Sequence, residues 1–184
     1  MATLSSEASG PRVLVAEPLT GDAFRAFGDV IERGSDDRPA SEGHAINDGS
    51  AWRRHDLARV DAARGGHVAI STVRAQPRAL PFRLQCLERH VRGSQAFIPL
   101  DPVPWIVVVC AGDASPSLGA LRAFVATAGQ GVNYARATWH HPLIATRCAS
   151  EFIVVDRIAE DGVDDCEIFG LQEFDFRVGV EEVP

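Results

Sequence analysis

Glu88, His90 and Gln95 lie close together in the chain, and His140 follows in Trp139-His-His-Pro142. A carboxylate, two imidazoles and an amide can do two kinds of chemistry. They can pass protons as general acid and base, or they can donate to a divalent metal. In Phe82-Arg-Leu-Gln-Cys-Leu-Glu-Arg-His90 the strand period of two puts Phe82, Leu84, Cys86, Glu88 and His90 on one face, with Arg83, Gln85 and Arg89 opposite. Phe82, Leu84 and Cys86 make the first face the inner one. Glu88 and His90 then enter a protein interior, where an uncompensated charge is costly, so they need partners, a ligand or a metal. Adjacent histidines on a strand face opposite ways, so only one of His140 and His141 can join them. By the same alternation Arg74 shares a face with Val68, Ile70 and Thr72. Pointing inward, it would grip a carboxylate bidentately or pair with Glu88. His55, in Arg-His-Asp, reads equally well as a loop hydrogen bond, and His44 and His67, each beside a glycine, read as surface residues.

These side chains need a scaffold, and the apolar periodicity describes one. A strand is expected at Val13–Val15, then a short helix capped by Thr20 that carries Phe24 and Phe27 and stops at Gly28, then a strand at Asp29–Glu32. Arg33–Ser50, rich in Gly, Ser and Asp, reads as a long mobile loop. A second helix is expected at Leu118–Ala126, with Ser117 as cap, Leu118, Leu121, Phe124 and Val125 on one face, and Gly129 as stop. Strands are expected at Val68–Ala75, Phe82–His90, Gln95–Ile98, Trp105–Cys110, Thr138–Thr146 and Phe152–Ile158, separated by proline and glycine. Short strands with two short helices indicate an all-β sandwich or barrel. No repeat or linker divides the chain, so residues 1–184 read as one domain with Met1–Gly10 as a flexible start.

Composition removes whole classes of function. All 18 basic residues counted as Lys+Arg are arginine, which excludes Schiff-base, pyridoxal and P-loop chemistry that depends on a lysine amine. A net charge of −7 opposes binding to nucleic acid or anionic lipid. Cys86, Cys110, Cys148 and Cys166 form no C-x-x-C pair and read as buried, reduced thiols. The start of the chain shows no secretory pattern, and the longest apolar run, Trp105–Ala111, is far too short for a membrane span. A cytoplasmic location is expected.

Glu88-x-His90-x4-Gln95, with His140 later in the chain, resembles the two motifs of cupins, small β-barrels, with Glu and Gln replacing one histidine and the glutamate of the first motif. A broader resemblance is to the ureidoglycolate lyase family of allantoin degradation. It is carried by Phe27-Gly-Asp-Val-Ile-Glu32, Ile46-Asn-Asp-Gly49, Arg54-His-Asp-Leu-Ala58, Arg74-Ala-Gln-Pro77, Glu88-Arg-His90 and Gly93-Ser-Gln-Ala-Phe-Ile-Pro99. Leu121-Arg-Ala-Phe124, Gly129-Gln-Gly-Val-Asn-Tyr134, Trp139-His-His-Pro-Leu143 and Asp156-Arg157 continue it. The chain departs from the family at Ala135, where a histidine is usual, at Asp48, where a second asparagine is common, and at Ile158-Ala-Glu-Asp-Gly162, which replaces a glycine pair.

The resemblance implies a cupin-like barrel that cleaves (S)-ureidoglycolate to glyoxylate and urea as a homodimer, with no redox cofactor. It also implies a base for the hydroxyl proton and an acid for the departing nitrogen. His90 or His140 would be the base, and Glu88 or the other histidine the acid. Arg74 would hold the substrate carboxylate, with Arg136 next in line, while Gln95, Asn133 and Tyr134 orient the ureido amide. A nickel or manganese ion on Glu88, His90, Gln95 and His140 is the alternative source of electrophilic help. A non-catalytic cupin that binds a small carboxylic acid is the runner-up, suggested by Ala135. A sugar or polyketide cupin would explain the barrel but not the motifs.

Overall fold

A computed structural model describes residues 10–32, 43–62, 65–127 and 129–181. Its strands, in chain order, begin with β1 (Arg12–Val15), β2 (Glu17–Pro18), β3 (Gly28–Ile31), β4 (His44–Ile46), β5 (Ala51–Arg53) and β6 (Gly66–Ala75). Next come β7 (Phe82–Arg83), β8 (Cys86–His90), β9 (Gln95–Pro99), β10 (Trp105–Cys110), β11 (Leu121–Ala126) and β12 (Gly131–Tyr134). The last are β13 (Trp139–His140), β14 (Ile144–Ala145), β15 (Ser150–Ala159), β16 (Cys166–Gly170) and β17 (Phe176–Gly179). One α-helix, α1 (Gly21–Phe24), is capped by Thr20, whose side chain accepts from the Ala23 amide. The all-β expectation holds.

The strands form two large facing sheets. The first has the order β3-β12-β9-β15-β6, and the second β16-β8-β13-β10-β11-β2, with β14 also on β10. Between them Phe97, Val132, Phe152 and Val154 meet Trp105, Val107, Val109 and Phe124, with Phe24 and Phe27 closing one end. The second sheet is also covered on its back. Leu87, Ile106, Val108, Leu121 and Trp139 pack there against Phe176 and Val178, which belong to a small third sheet β1-β17-β7. Cover on both sides explains why every residue of β10 is buried and why its sequence, WIVVVC, does not alternate.

The same double cover corrects the expected second helix. Leu118–Ala120 is only a 3-10 turn, and Leu121–Ala126 is a strand in register with β10 from Leu121 opposite Cys110 to Ala126 opposite Trp105. Leu121, Ala123 and Val125 face one way, Phe124 and Ala126 the other, so a strand buried on both faces imitated helical spacing. The expected Phe82–His90 strand is likewise two strands. Leu84 donates to Phe176 O, whereas Gln85 accepts from Leu171, so the ladder changes partner between them. Phe82, Leu84 and Leu87 accordingly join the back core, while Cys86, Glu88 and His90 turn to the interior.

Three smaller expectations are also revised. Residues 33–42 of the expected mobile loop lie outside the described residues, as do residues 1–9 of the expected flexible start. Residues 43–53 form the hairpin β4–β5, with Asn47 and Asp48 at positive φ of 53° and 56°. Asp suits that conformation as Asn does, so Asp48 keeps the turn. Of the four free thiols only Cys110 is buried, its pKa pushed up to about 11 by burial, and Cys148 is exposed.

Candidate active site and metal centre

The interior face of the second sheet carries the expected cluster. His140 on β13 is in register with Glu88 on β8, and His90 follows two residues along on the same face. From the first sheet Gln95 and Tyr134, in register on β9 and β12, face the cluster. The Tyr134 ring stacks on His140 at 4.0 Å between centroids, and burial holds its phenol far above the ordinary tyrosine pKa. Tyr134 is therefore a protonated wall and not a base.

His140 is almost wholly enclosed, and both of its nitrogens face acceptors. Nδ1 lies 2.9 Å from Thr138 O, while Nε2 lies 3.1 Å from Gln95 Oε1 and 3.4 Å from Glu88 Oε1. A carbonyl can only accept, so Nδ1 carries a proton and donates it to Thr138. Burial by itself would raise the Glu88 carboxyl, but the hydrogen bond with His140 and the nearby histidine charges outweigh it, and its pKa falls below the ordinary value. Glu88 is thus a carboxylate.

His90 is turned by a different group. Its Nδ1 lies 3.8 Å from Asp165 Oδ1, and its Nε2 is buried with no hydrogen-bond partner among the described residues. Asp165 in turn faces Arg157, whose Nη1 is 3.9 Å from Asp165 Oδ2 and whose Nη2 donates to Gly65 O at 2.7 Å. Gly66 leaves room for that guanidinium and Gly93 for the aliphatic stem, since a Cβ on Gly66 would come within 2.7 Å of Arg157 Nε and one on Gly93 within 2.7 Å of Arg157 Cβ. His141 lies on the back face, as adjacent histidines on a strand require. It accepts from the Gln85 amide and packs edge-on to Phe82, with its pKa lowered by burial.

Glu88, His90 and His140 offer ligand atoms that all lie within 4.8 Å of one another, and they fit a divalent ion. His140 commits Nδ1 to a backbone carbonyl, and His90 turns Nδ1 to a carboxylate. Both arrangements leave Nε2 for metal, as metal-bound histidines usually do. The 3.1 and 3.4 Å separations among His140, Gln95 and Glu88 match adjacent ligand positions around one ion at ordinary bond lengths of roughly 2.1 Å. A carboxylate, imidazole and amide set is a mixed N/O donor set suited to a divalent cation.

Two expected site residues lie elsewhere. β15 pairs along all of β6 with Phe152 opposite Val73 and Val154 opposite Ser71, so the inward residues of β6 are the odd-numbered ones. Arg74 therefore points out, exposed, to Glu151 at 3.2 Å. The expectation failed because β6 is an edge strand, whose apolar Val68 and Ile70 are 45% and 75% exposed instead of buried. Asn133 also faces outward. Its Nδ2 donates to Asp29 Oδ2 and Arg59 O, each at 3.0 Å, and ties the 54–62 segment to the sheet. Arg136 is half-exposed and faces Asp61 at 3.8 Å. A recess of about 560 Å³ beside Arg89 and Asp113 lies against the opposite face of β8 and contains none of the cluster.

Asp156 and Asp165 are the residues that the sequence reading missed as site components. Asp156 could have been found, because the β15 alternation Phe152, Val154, Asp156 puts a carboxylate on the inner face; Asp165, between strands, gave no periodic signal. Among the family departures, Ala135 lies on an exposed turn. Asp161, in the segment that replaces the glycine pair, bonds Arg92 at 2.6 Å.

Two facing β-sheets enclose the convergent Glu, His and Gln side chains. The ureidoglycolate lyase family model matches residues 11–178, and the chain belongs to that family. The ureidoglycolate lyase of Burkholderia mallei is 52% identical over 149 residues, covering 79% of this chain and 83% of the relative. Ureidoglycolate lyase 1 of Rhizobium meliloti is 51% identical over 146 residues, 79% of this chain and 82% of its own. That of Escherichia coli is 44% identical over 156 residues, 85% and 92%. A solved tryptophan-to-tyrosine variant of Bacillus subtilis oxalate decarboxylase aligns with 76% of this chain and 37% of its own, at 17% identity and a TM-score of 0.33.

Proposed function

We propose that this chain is a ureidoglycolate lyase, cleaving (S)-ureidoglycolate to glyoxylate and urea, with Glu88, His90, Gln95 and His140 around the reacting carbon. The family match across residues 11–178 carries the reading. In the reaction the carbon–nitrogen bond breaks as the hydroxyl becomes a carbonyl; the hydroxyl loses a proton and the leaving nitrogen gains one. A manganese or nickel ion held by the four side chains would supply positive charge to the substrate's hydroxyl and carboxylate, a task for which outward-pointing Arg74 is misplaced. Without an ion the proton transfers fall to the same atoms. His90 Nε2, without a hydrogen-bond partner among the described residues, accepts the hydroxyl proton, and His140 Nε2, beside the Glu88 carboxylate, returns one to the urea nitrogen.

The non-catalytic alternative rested on Ala135, and its exposed position gives that alternative little support. The wider reading is a cytoplasmic enzyme of allantoin breakdown that works as a homodimer on a small molecule, without nucleic acid or membrane. No helix among the described residues is long and apolar enough to cross a membrane. Purified protein should release urea and glyoxylate from racemic ureidoglycolate and stop when about half is consumed, as expected of a site that discriminates one enantiomer. Release of ammonia as the first nitrogen product would overturn the assignment.

A further inference from the structure

Asp156 lies on the inner face of β15, beyond Phe152 and Val154 and next to Gln95. Its Oδ2 accepts from Gln95 Nε2 at 3.4 Å, and its Oδ1 is buried without a partner among the described residues. Gln95 is itself buried, 8% exposed, so its amide has few ways to satisfy both ends. A side-chain amide has one donor end and one acceptor end, and an ionised carboxylate only accepts. Asp156 therefore fixes which end of Gln95 faces which way. The nitrogen is drawn to Asp156, and the oxygen is left pointing at His140 Nε2, 3.1 Å away, on the side where Glu88 converges.

An amide in the opposite orientation would present hydrogens to the cluster and could not ligate a cation. We infer that Asp156 is a positioning residue for the metal centre, acting through Gln95 by turning the amide oxygen toward the ion. Each neutral ligand of the centre then has its own outer partner: Thr138 O for His140, Asp165 for His90 and Asp156 for Gln95. Gln95 is a poor ligand left to itself, and Asp156 polarises it and removes its rotational choice. This inference rests on the metal reading above.

Calorimetric titration of the metal-stripped full chain with manganese chloride and nickel chloride tests it, with the Mn(II) EPR spectrum as a second readout. Asp156→Asn keeps the size of the side chain but allows either amide orientation at Gln95. It should weaken metal binding 10- to 100-fold, the usual effect of losing an outer partner, with little change in melting temperature. Adding Gln95→Glu to that variant supplies an oxygen toward the ion in either orientation and should restore affinity to within a few-fold of wild type. Unchanged binding in Asp156→Asn overturns the inference. A loss that Gln95→Glu does not restore, or a variant that melts far below wild type, overturns the route through Gln95 and leaves Asp156 a packing residue. Wild type that binds neither ion overturns the metal reading itself, and with it this inference.

Discussion

His90 and His140 are the same residue type on neighbouring strands of one sheet, yet their surroundings assign them different work. His140 is enclosed by Tyr134, Gln95, Glu88 and the Thr138 carbonyl, so its ring cannot turn. His90 has one nitrogen turned to Asp165 and the other open to the interior. Removal of either imidazole removes a ligand or a proton carrier. His90→Ala and His140→Ala should each lower turnover of ureidoglycolate by roughly 10² to 10⁴. Only His140→Ala should also lower the melting temperature markedly, because it empties a stacked, fully enclosed site and leaves Gln95 without its partner. Turnover above half of wild type in both folded variants would move the reaction centre away from β8 and β13.

At the scale of the element, β6 shows what a strand pattern can and cannot convey. Its ten residues alternate as a strand should, and the sequence told the strand but not its facing. Facing is inferred by assuming that apolar residues are inside, and Val68 and Ile70 break that assumption on an edge. The interior strands were legible for the opposite reason. Trp105–Cys110 is apolar throughout because it is covered on both sides, and Thr20 caps α1 because a hydroxyl can satisfy a free amide there. Glu88 and His90 were legible as an inward pair by their spacing of two, although Phe82 and Leu84, the apolar residues used to mark that face, belong to the back core because the strand breaks at residues 84–85. Asn133 was misplaced because a buried amide can serve the outside of a sheet as well, here by tying down the 54–62 segment. The facing of β6 has a direct test. Arg74→Ala removes only an exposed pair with Glu151, so it should change stability by less than about 1 kcal/mol and leave the Michaelis constant for ureidoglycolate within about two-fold. A ten-fold rise in that constant would return Arg74 to the substrate carboxylate.

For the whole molecule, the same strand is a long unprotected edge among the described residues. β6 closes one end of the order β3-β12-β9-β15-β6, so one edge of its ten residues has no strand beside it among the described residues. Such edges are usually blunted by proline, lysine, a bulge or a short length. β6 has none of the first two, pairs with β15 without interruption from Gly66 to Ala75, and leaves Ile70 75% exposed near its middle. An edge of this kind can be covered by a second copy about a two-fold axis, which pairs the strand with itself and buries Val68 and Ile70 from both copies. A homodimer, if formed through this edge, would pair β6 with its copy. Wild type at micromolar concentration should run at about twice 19.8 kDa in light scattering. Ile70→Arg puts two guanidinium groups near the axis, where like charges repel. It should weaken association by about 30-fold or more, the scale of losing an interface residue worth about 2 kcal/mol. Because Ile70 points away from the interior, the variant's manganese affinity should stay at the wild-type value. A wild-type chain that is monomeric at 100-fold higher concentration would rule out the edge-paired dimer. A dimer unaffected by Ile70→Arg would place its interface on another surface.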